Sequence, residues 1–143
     1  LHCPVKISFR RGKDYFALQG QLDLPSTFDP STSDFSVELS NAAGTIYSGS
    51  LLAGDLKRKG RRYTFKDKSA KFSAGTREGL SKVQFFWSKD NLWRFRVNAF
   101  SNLSAANDPV MTVSVLMGGT LFESTATFDQ RKKGYQLKRL PLP

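Results

Sequence analysis

The chain is poor in the residues that most often do chemistry: one cysteine and one histidine in 143 residues. A single thiol, Cys3, excludes an internal disulfide framework. It also excludes cysteine zinc sites, iron–sulfur ligation and CxxCH haem attachment, which all need more than one cysteine. The one histidine, His2, sits beside the terminus, where order is least expected, so a Ser/His/Asp or Cys/His constellation would have to be built there. His2 and Cys3 beside Pro4 form a two-ligand pair, which is more often simply a terminus than a soft-metal site. Long apolar runs are lacking as well. The most apolar stretch, residues 110–117, is broken by Thr112 and Ser114 and falls far short of the ~20 residues that a membrane helix needs. There is no GxGxxG, no P-loop and no GxSxG, so nucleotide binding and hydrolase chemistry lose their usual signals. Carboxylates are scattered. Asp29 and Asp34 share a loop with hydroxyl neighbours that can offer oxygens to calcium, but the spacing is not that of an EF-hand, and Asp-Pro-Ser-Thr more commonly caps a turn. Asn102-Leu103-Ser104 has the form of a glycosylation sequon, a triplet frequent by chance. The expectation is a protein that is not an enzyme and has no cofactor or metal.

Aromatic residues are plentiful. Twelve Phe, four Tyr and two Trp are too much apolar surface for a disordered basic tail, so the chain should fold. Apolar residues recur at every second position in Val5, Ile7, Phe9; in Phe16, Leu18; in Phe35, Val37, Leu39; in Tyr63, Phe65; in Trp93, Phe95, Val97; and in Met111, Val113, Val115, Met117. That period of two is the mark of a half-buried strand, and helical spacing is nowhere sustained. Gly, Asn, Asp and Pro sit between the runs, as at Gly12, Asp29-Pro30, Gly44, Gly60, Asn91, Asp108-Pro109, Gly118-Gly119 and Gly134, and supply turns.

The pattern occurs twice. Residues 5–9 and 15–18 parallel residues 83–87 and 92–95; residues 35–39 and 44–48 parallel 111–115 and 119–123; and residues 56–66 parallel 128–138. Three matched blocks in one order indicate a duplication with altered loops. The expected architecture is all-β, with about ten antiparallel strands in two duplicated halves forming a β-sandwich or barrel with pseudo-twofold symmetry. Residues 1–68 are the first repeat, 69–81 a connector and 82–143 the second. About 70 residues without disulfide or metal make a poor independent core, so the halves should share one.

Charge is the strongest bulk signal, with 22 Lys plus Arg against 12 Asp plus Glu, a formal +10. The densest clusters, Lys57, Arg58, Lys59, Arg61 and Arg62 in the first half and Arg131, Lys132 and Lys133 in the second, both precede the last strand of their half. Such tips are either solvated loops defending an edge or contacts for a polyanion. On the strand Trp93-Arg94-Phe95-Arg96, alternation puts Arg94 and Arg96 in solvent, and no RNA-binding motif is present, so nucleic acid is the less expected polyanion. Phe85, Phe86 and Trp87 are consecutive. Phe86 must therefore point away from its neighbours, toward another layer, a partner subunit or a sugar.

Val-x-Ile-x-Phe at 5–9, the loop Leu-Asp-Leu-Pro-Ser-Thr-Phe-Asp-Pro at 22–30, Gly-Thr-Ile-Tyr-Ser-Gly at 44–49 and the closing Lys-Arg-Lys-Gly-x-x-Tyr-x-Phe at 57–65 together resemble the tandem β-rich repeats of secreted and cell-surface bacterial proteins. The resemblance implies export and an all-β fold, and carries no catalytic residues with it. A start at Leu1 rather than Met fits a processed product, with a removed secretory signal as one origin. The leading expectation is an assembly subunit of a secreted, periplasmic or cell-surface complex or filament. Its partners would be other protein subunits, held by strand-edge pairing through the terminal segments, with Val5, Ile7, Phe9 and Phe86 at the interface. The alternative is a module that binds an anionic polymer or carbohydrate through its basic hairpin tips.

Overall fold

A computed structural model describes residues 3–140; Leu1, His2 and 141–143, including the terminal prolines, lie outside the described residues. The chain forms twelve strands: β1 (Cys3–Ser8), β2 (Asp14–Leu22), β3 (Phe35–Asn41), β4 (Gly44–Leu51), β5 (Lys57–Lys59), β6 (Arg62–Lys66), β7 (Leu80–Trp87), β8 (Trp93–Ser101), β9 (Val110–Met117), β10 (Thr120–Thr127), β11 (Asp129–Arg131) and β12 (Gly134–Leu140). All pairing is antiparallel. Eight strands make a large sheet in the order β11-β12-β1-β2-β8-β7-β6-β5, and four make a small one in the order β10-β9-β3-β4. The two sheets pack as a sandwich, and neither closes into a barrel.

Six strands per half, rather than five, follow from β5 and β11. Each is a three-residue run, Lys57-Arg58-Lys59 or Asp129-Gln130-Arg131. Runs this short and polar carry no apolar alternation and resemble turns. They pair as edge strands because the hairpin to β6 or β12 holds them in register, at Lys59↔Arg62 and Arg131↔Gly134.

Exchanging each strand of the first half for its counterpart in the second reverses both sheet orders and leaves them unchanged. The pseudo-twofold axis therefore passes between β2 and β8 in one sheet and between β3 and β9 in the other. The halves interlock across it. The closing hairpin β5–β6 of the first half pairs with β7 of the second, and β11–β12 of the second pairs with β1 of the first.

One apolar cluster fills the space between the sheets, with contributions from both halves. Rings meet across it: Phe35 of β3 lies edge-on to Phe85 of β7 at 5.5 Å, and Phe16 of β2 lies 5.9 Å from Tyr47 of β4. Offset and edge geometries of this kind are favourable for aromatic pairs. Repeat-equivalent residues serve equivalent ends, since Leu56 and Phe128 are both buried, as are Tyr63 and Tyr135. The buried Trp93 indole donates from Nε1 to the Pro25 carbonyl at 2.9 Å, which satisfies its polar edge.

Val5 and Ile7 are 1% and 2% exposed, and β1 is paired on both sides, with β12 and β2. They belong to the core, and β1 has no free edge to offer a neighbour. Phe9 packs partly buried against the same core, edge-on to Tyr135 at 6.2 Å. These three are therefore corrected from interface to interior. Alternation marks a strand that must be buried, but does not say whether its own chain or another covers it.

The connector is held locally rather than as a strand. Asp67 caps a 3-10 turn at Lys68–Lys71, accepting from Ser69 N at 3.0 Å and from Thr76 N at 2.8 Å. Asp29 caps the turn Pro30–Thr32 in the same way, and Asp34 accepts from Ala53 N at 2.9 Å, so both loop carboxylates are engaged with backbone. Arg77 grips Asp55 with two bonds of 2.6 and 3.1 Å, and this hydrogen-bonded pairing holds the Asp55 carboxyl below its ordinary value. Tyr47 Oη donates to the Glu78 carbonyl at 3.0 Å, tying the connector to β4.

Two outcomes are expected. Gly134 has φ 151°, and a Cβ there would lie 1.9 Å from the Ile7 carbonyl oxygen, so β12 has no room for a side chain where it meets β1 at this position. Gly134→Ala should destabilise by about 3 kcal/mol or more in urea unfolding, since the obstacle is backbone rather than a side chain that can rotate away. Burial pushes the Tyr47 hydroxyl well above its ordinary value of 10.0. The folded state keeps a proton that the unfolded chain loses, so this contribution is complete below pH 10 and fades as pH rises above it. Tyr47→Phe should cost about 1 kcal/mol at neutral pH through the lost hydrogen bond and show a shallower alkaline decline in a pH series of melts.

Candidate functional site: the open face of the large sheet

On the strands of the large sheet between its edges, one set of alternate residues faces the core and the other faces away from the small sheet, while the edge strands β5 and β11 are exposed throughout. The register aligns the outward residues of neighbouring strands into rows running across the sheet. One row reads Lys59, Arg62, Phe86, Arg94, Gln21 across β5, β6, β7, β8 and β2. The next reads Lys57, Thr64, Gln84, Arg96, Gln19 over the same strands. A third reads Lys66, Lys82, Asn98, Ala17, Lys6, Gln136, passing from β6 to β12. Positions within a row are ~4.8 Å apart and rows ~6.8 Å apart, as the pleat dictates.

This face is cationic with almost no compensation. Among the described outward-facing residues of β1, β2, β5, β6, β7 and β8 there is no carboxylate. Asp14, at the start of β2, has core-facing parity and accepts from the Leu103 amide at 2.9 Å. Asp90, in the β7–β8 turn, meets Arg94 at the rim at 2.6 Å, and Asp129 on β11, the register partner of Gln136, closes the third row with a carboxylate at the far edge. Burial, with the like charges of Lys66, Arg96 and Arg62 around it, pulls the Lys82 ammonium below its ordinary value. Arg96 donates from Nη2 to Gln19 Oε1 at 3.2 Å, an orienting contact within the second row. Two shallow depressions of about 570 Å³ each lie on this surface, one over Gln84, Phe86, Arg94 and Arg96 and one toward Lys57, Lys59 and Arg62.

The other face of the sandwich is the opposite in character. None of the four strands of the small sheet contains a Lys or Arg. Its outer surface is built from Ser and Thr with Glu38 and Glu123 and an exposed apolar pair, Leu116 beside Leu121; Thr112 and Thr125 hydroxyls bond at 2.7 Å and Ser114 donates to Glu123 at 2.8 Å.

The two sequence clusters do not form one site. Lys57, Arg58, Lys59, Arg61 and Arg62 lie on the β5–β6 hairpin at one edge of the large sheet, and Arg131, Lys132 and Lys133 on the β11–β12 hairpin at the other edge. Seven strand spacings put them ~34 Å apart. Lys57, Lys59 and Arg62 join the face, whereas Arg58 has the opposite parity and lies exposed over the Tyr63 ring at 5.7 Å. Phe86 points outward as its parity requires and lies half-buried, with Arg62 and Arg94 as its register neighbours. Lys6, Lys66, Lys82, Arg94 and Arg96 were not grouped by sequence. Their outward parity was readable strand by strand, but their proximity depends on strand order.

Repulsion within the face makes it a cost to the fold that salt relieves. Lys82→Gln is therefore expected to raise Tm slightly, by about 1 °C, and added NaCl should raise the Tm of the parent protein more than that of the variant in parallel thermal melts.

No protein-family model matches the chain, no curated protein matches it, and no solved structure matches it.

Proposed function

We propose that the protein is a non-enzymatic binding module that holds an anionic polymer on the open face of its large sheet. The observation that carries this reading is the three rows of outward residues: cations are interspersed with neutral residues from β5 to β2, no carboxylate stands among them there, and the surface of the opposite sheet is uncharged or acidic. A cationic face of this kind concentrates a polyanion and releases its counterions on contact, giving affinity that falls steeply with salt. An isolated loop cluster spreads its charges into solvent. A sheet face holds them at fixed spacing, so less side-chain entropy is lost when the polymer arrives. Residence outside the cell, which the resemblance to secreted β-repeats implies, fits a partner of this kind.

A second reading is assembly through strand edges. It is favoured by one observation: β4 and β10, eight residues each, are the end strands of the small sheet, free of Lys, and Leu121 on β10 is 58% exposed. On β4 the Ser50 amide already donates to Glu78 Oε2 at 2.8 Å, which leaves β10 as the edge more open to pairing with another copy. The described terminal strands, β1 and β12, are interior strands of the large sheet and offer no free edge to this reading.

Titration with a labelled heparin oligosaccharide at several salt concentrations separates these readings. The triple variant Arg62→Gln, Lys82→Gln, Arg96→Gln should bind at least ten-fold more weakly, with a shallower dependence on salt, as expected when about three ionic contacts are lost. The triple variant Arg131→Gln, Lys132→Gln, Lys133→Gln should bind nearly as the parent does. Equal losses in both triples would discard the face in favour of net charge alone. Large species at low and high salt in light scattering would favour edge assembly.

A further inference from the structure

We infer that the anionic polymer is a carboxylated polysaccharide, with a pyranose ring seated on Phe86. This rests on the polyanion reading of the same face and adds the chemistry of the repeating unit. The face is not uniformly ionic: Gln19, Gln21, Gln84 and Gln136 stand in its rows among the cations. An amide both donates and accepts, and so does a sugar hydroxyl. A phosphate oxygen only accepts, and would be matched as well by further cations.

Phe86 is the centre of this arrangement. It is an aromatic residue on the outer surface whose register partners are Arg62 on one neighbouring strand and Arg94 on the other, with Gln84 the next outward residue of its own strand. The C–H face of a pyranose is apolar and slightly positive, and it suits the negative face of an aromatic ring. Arg62, which has no carboxylate within ion-pair distance among the described residues, can take a carboxylate with paired N–H donors, whereas Arg94 is already held by Asp90 through Nη2 at 2.6 Å. The face is also longer across its strands than along them, with five or more positions per row against three outward positions per strand. A polymer lying along a row meets one position every ~4.8 Å, close to the length of one pyranose unit in an extended chain.

Single-stranded nucleic acid fits less well. Its bases are held by successive aromatic platforms, and the basic rows contain one aromatic. Tyr15 and Phe100 lie outside those rows and are covered by the Arg10 guanidinium, 4.7 and 5.9 Å from their ring centres.

The test uses the whole chain and four labelled probes of similar charge at one ionic strength: a polygalacturonate oligomer, a heparin oligosaccharide, poly-glutamate and oligo-dT, read by fluorescence anisotropy. Polygalacturonate should bind about ten-fold tighter than poly-glutamate and oligo-dT. Phe86→Leu keeps an apolar cover but removes the π face, and it should reduce polygalacturonate affinity by about five-fold while leaving poly-glutamate unchanged. Phe86→Tyr should retain binding, and Gln84→Ala should act in the same direction as Phe86→Leu. Unchanged melting curves establish that the variants fold. Equal affinity for all four probes, or indifference to Phe86→Leu, would overturn the sugar assignment while leaving the polyanion face standing. Preference for oligo-dT would replace the sugar with nucleic acid, preference for heparin would replace carboxylate with sulfate, and failure of every probe to bind would remove the face reading itself.

Discussion

The pairing of β2 with β8, nine residues in continuous register from Asp14↔Ser101 to Leu22↔Trp93, joins the two halves at the middle of the large sheet. Beside it, β3 pairs with β9 in the small sheet. These two ladders place the pseudo-twofold axis, and everything else is arranged around it. Because the closing hairpin of each half is paired to the first strand of the other, neither half owns a complete sheet. A lone half would leave the apolar inner faces of its strands without their facing layer, at ~25 cal/mol for each Å² of apolar surface left in water. The sandwich is consequently one cooperative unit in which both halves supply the core.

The same axis explains where the charge goes. The small sheet is short, and its strands carry no cation, whereas the large sheet extends past it on both sides with hairpins rich in Lys and Arg. Lysine on short edge strands such as β5 defends them against pairing with other sheets. That bland role accounts for the edge, but not for Lys82, Arg94 and Arg96, which lie on interior strands already paired on both sides. Those positions meet no edge, and the charge on them opposes folding. Cations kept where they cost stability are what the proposed polyanion site rests on. That proposed site is an outer face, with strand alternation dividing each strand between core and surface.

Much of the architecture was legible because alternation is a local property. Val5, Ile7, Phe16, Leu18, Phe95 and Val97 announce both their strands and their burial from neighbours two residues away, and the matched blocks reveal the duplication. The short strands β5 and β11 were not legible, since three polar residues become a strand only when a hairpin partner holds them. Val5, Ile7 and Phe9 were misread as an interface for a related reason: alternation demands cover without naming its source. The proposed binding face was half legible. Arg94 and Arg96 could be assigned to solvent from parity, but the hairpin tips drew attention because their charges are contiguous in sequence.

The sequence by itself determined the all-β class, the duplication, the basic balance and which residues of each strand turn outward. These follow from a two-residue period, from self-similarity and from composition, none of which needs a distant contact. Only the tertiary structure decided which outward residues share a surface. Arg62, Phe86 and Arg94 come from three strands separated by loops, and they meet because β6 pairs with β7 and β7 with β8 at one particular register. A slip of one residue in either pairing would turn the outward set of that strand toward the core.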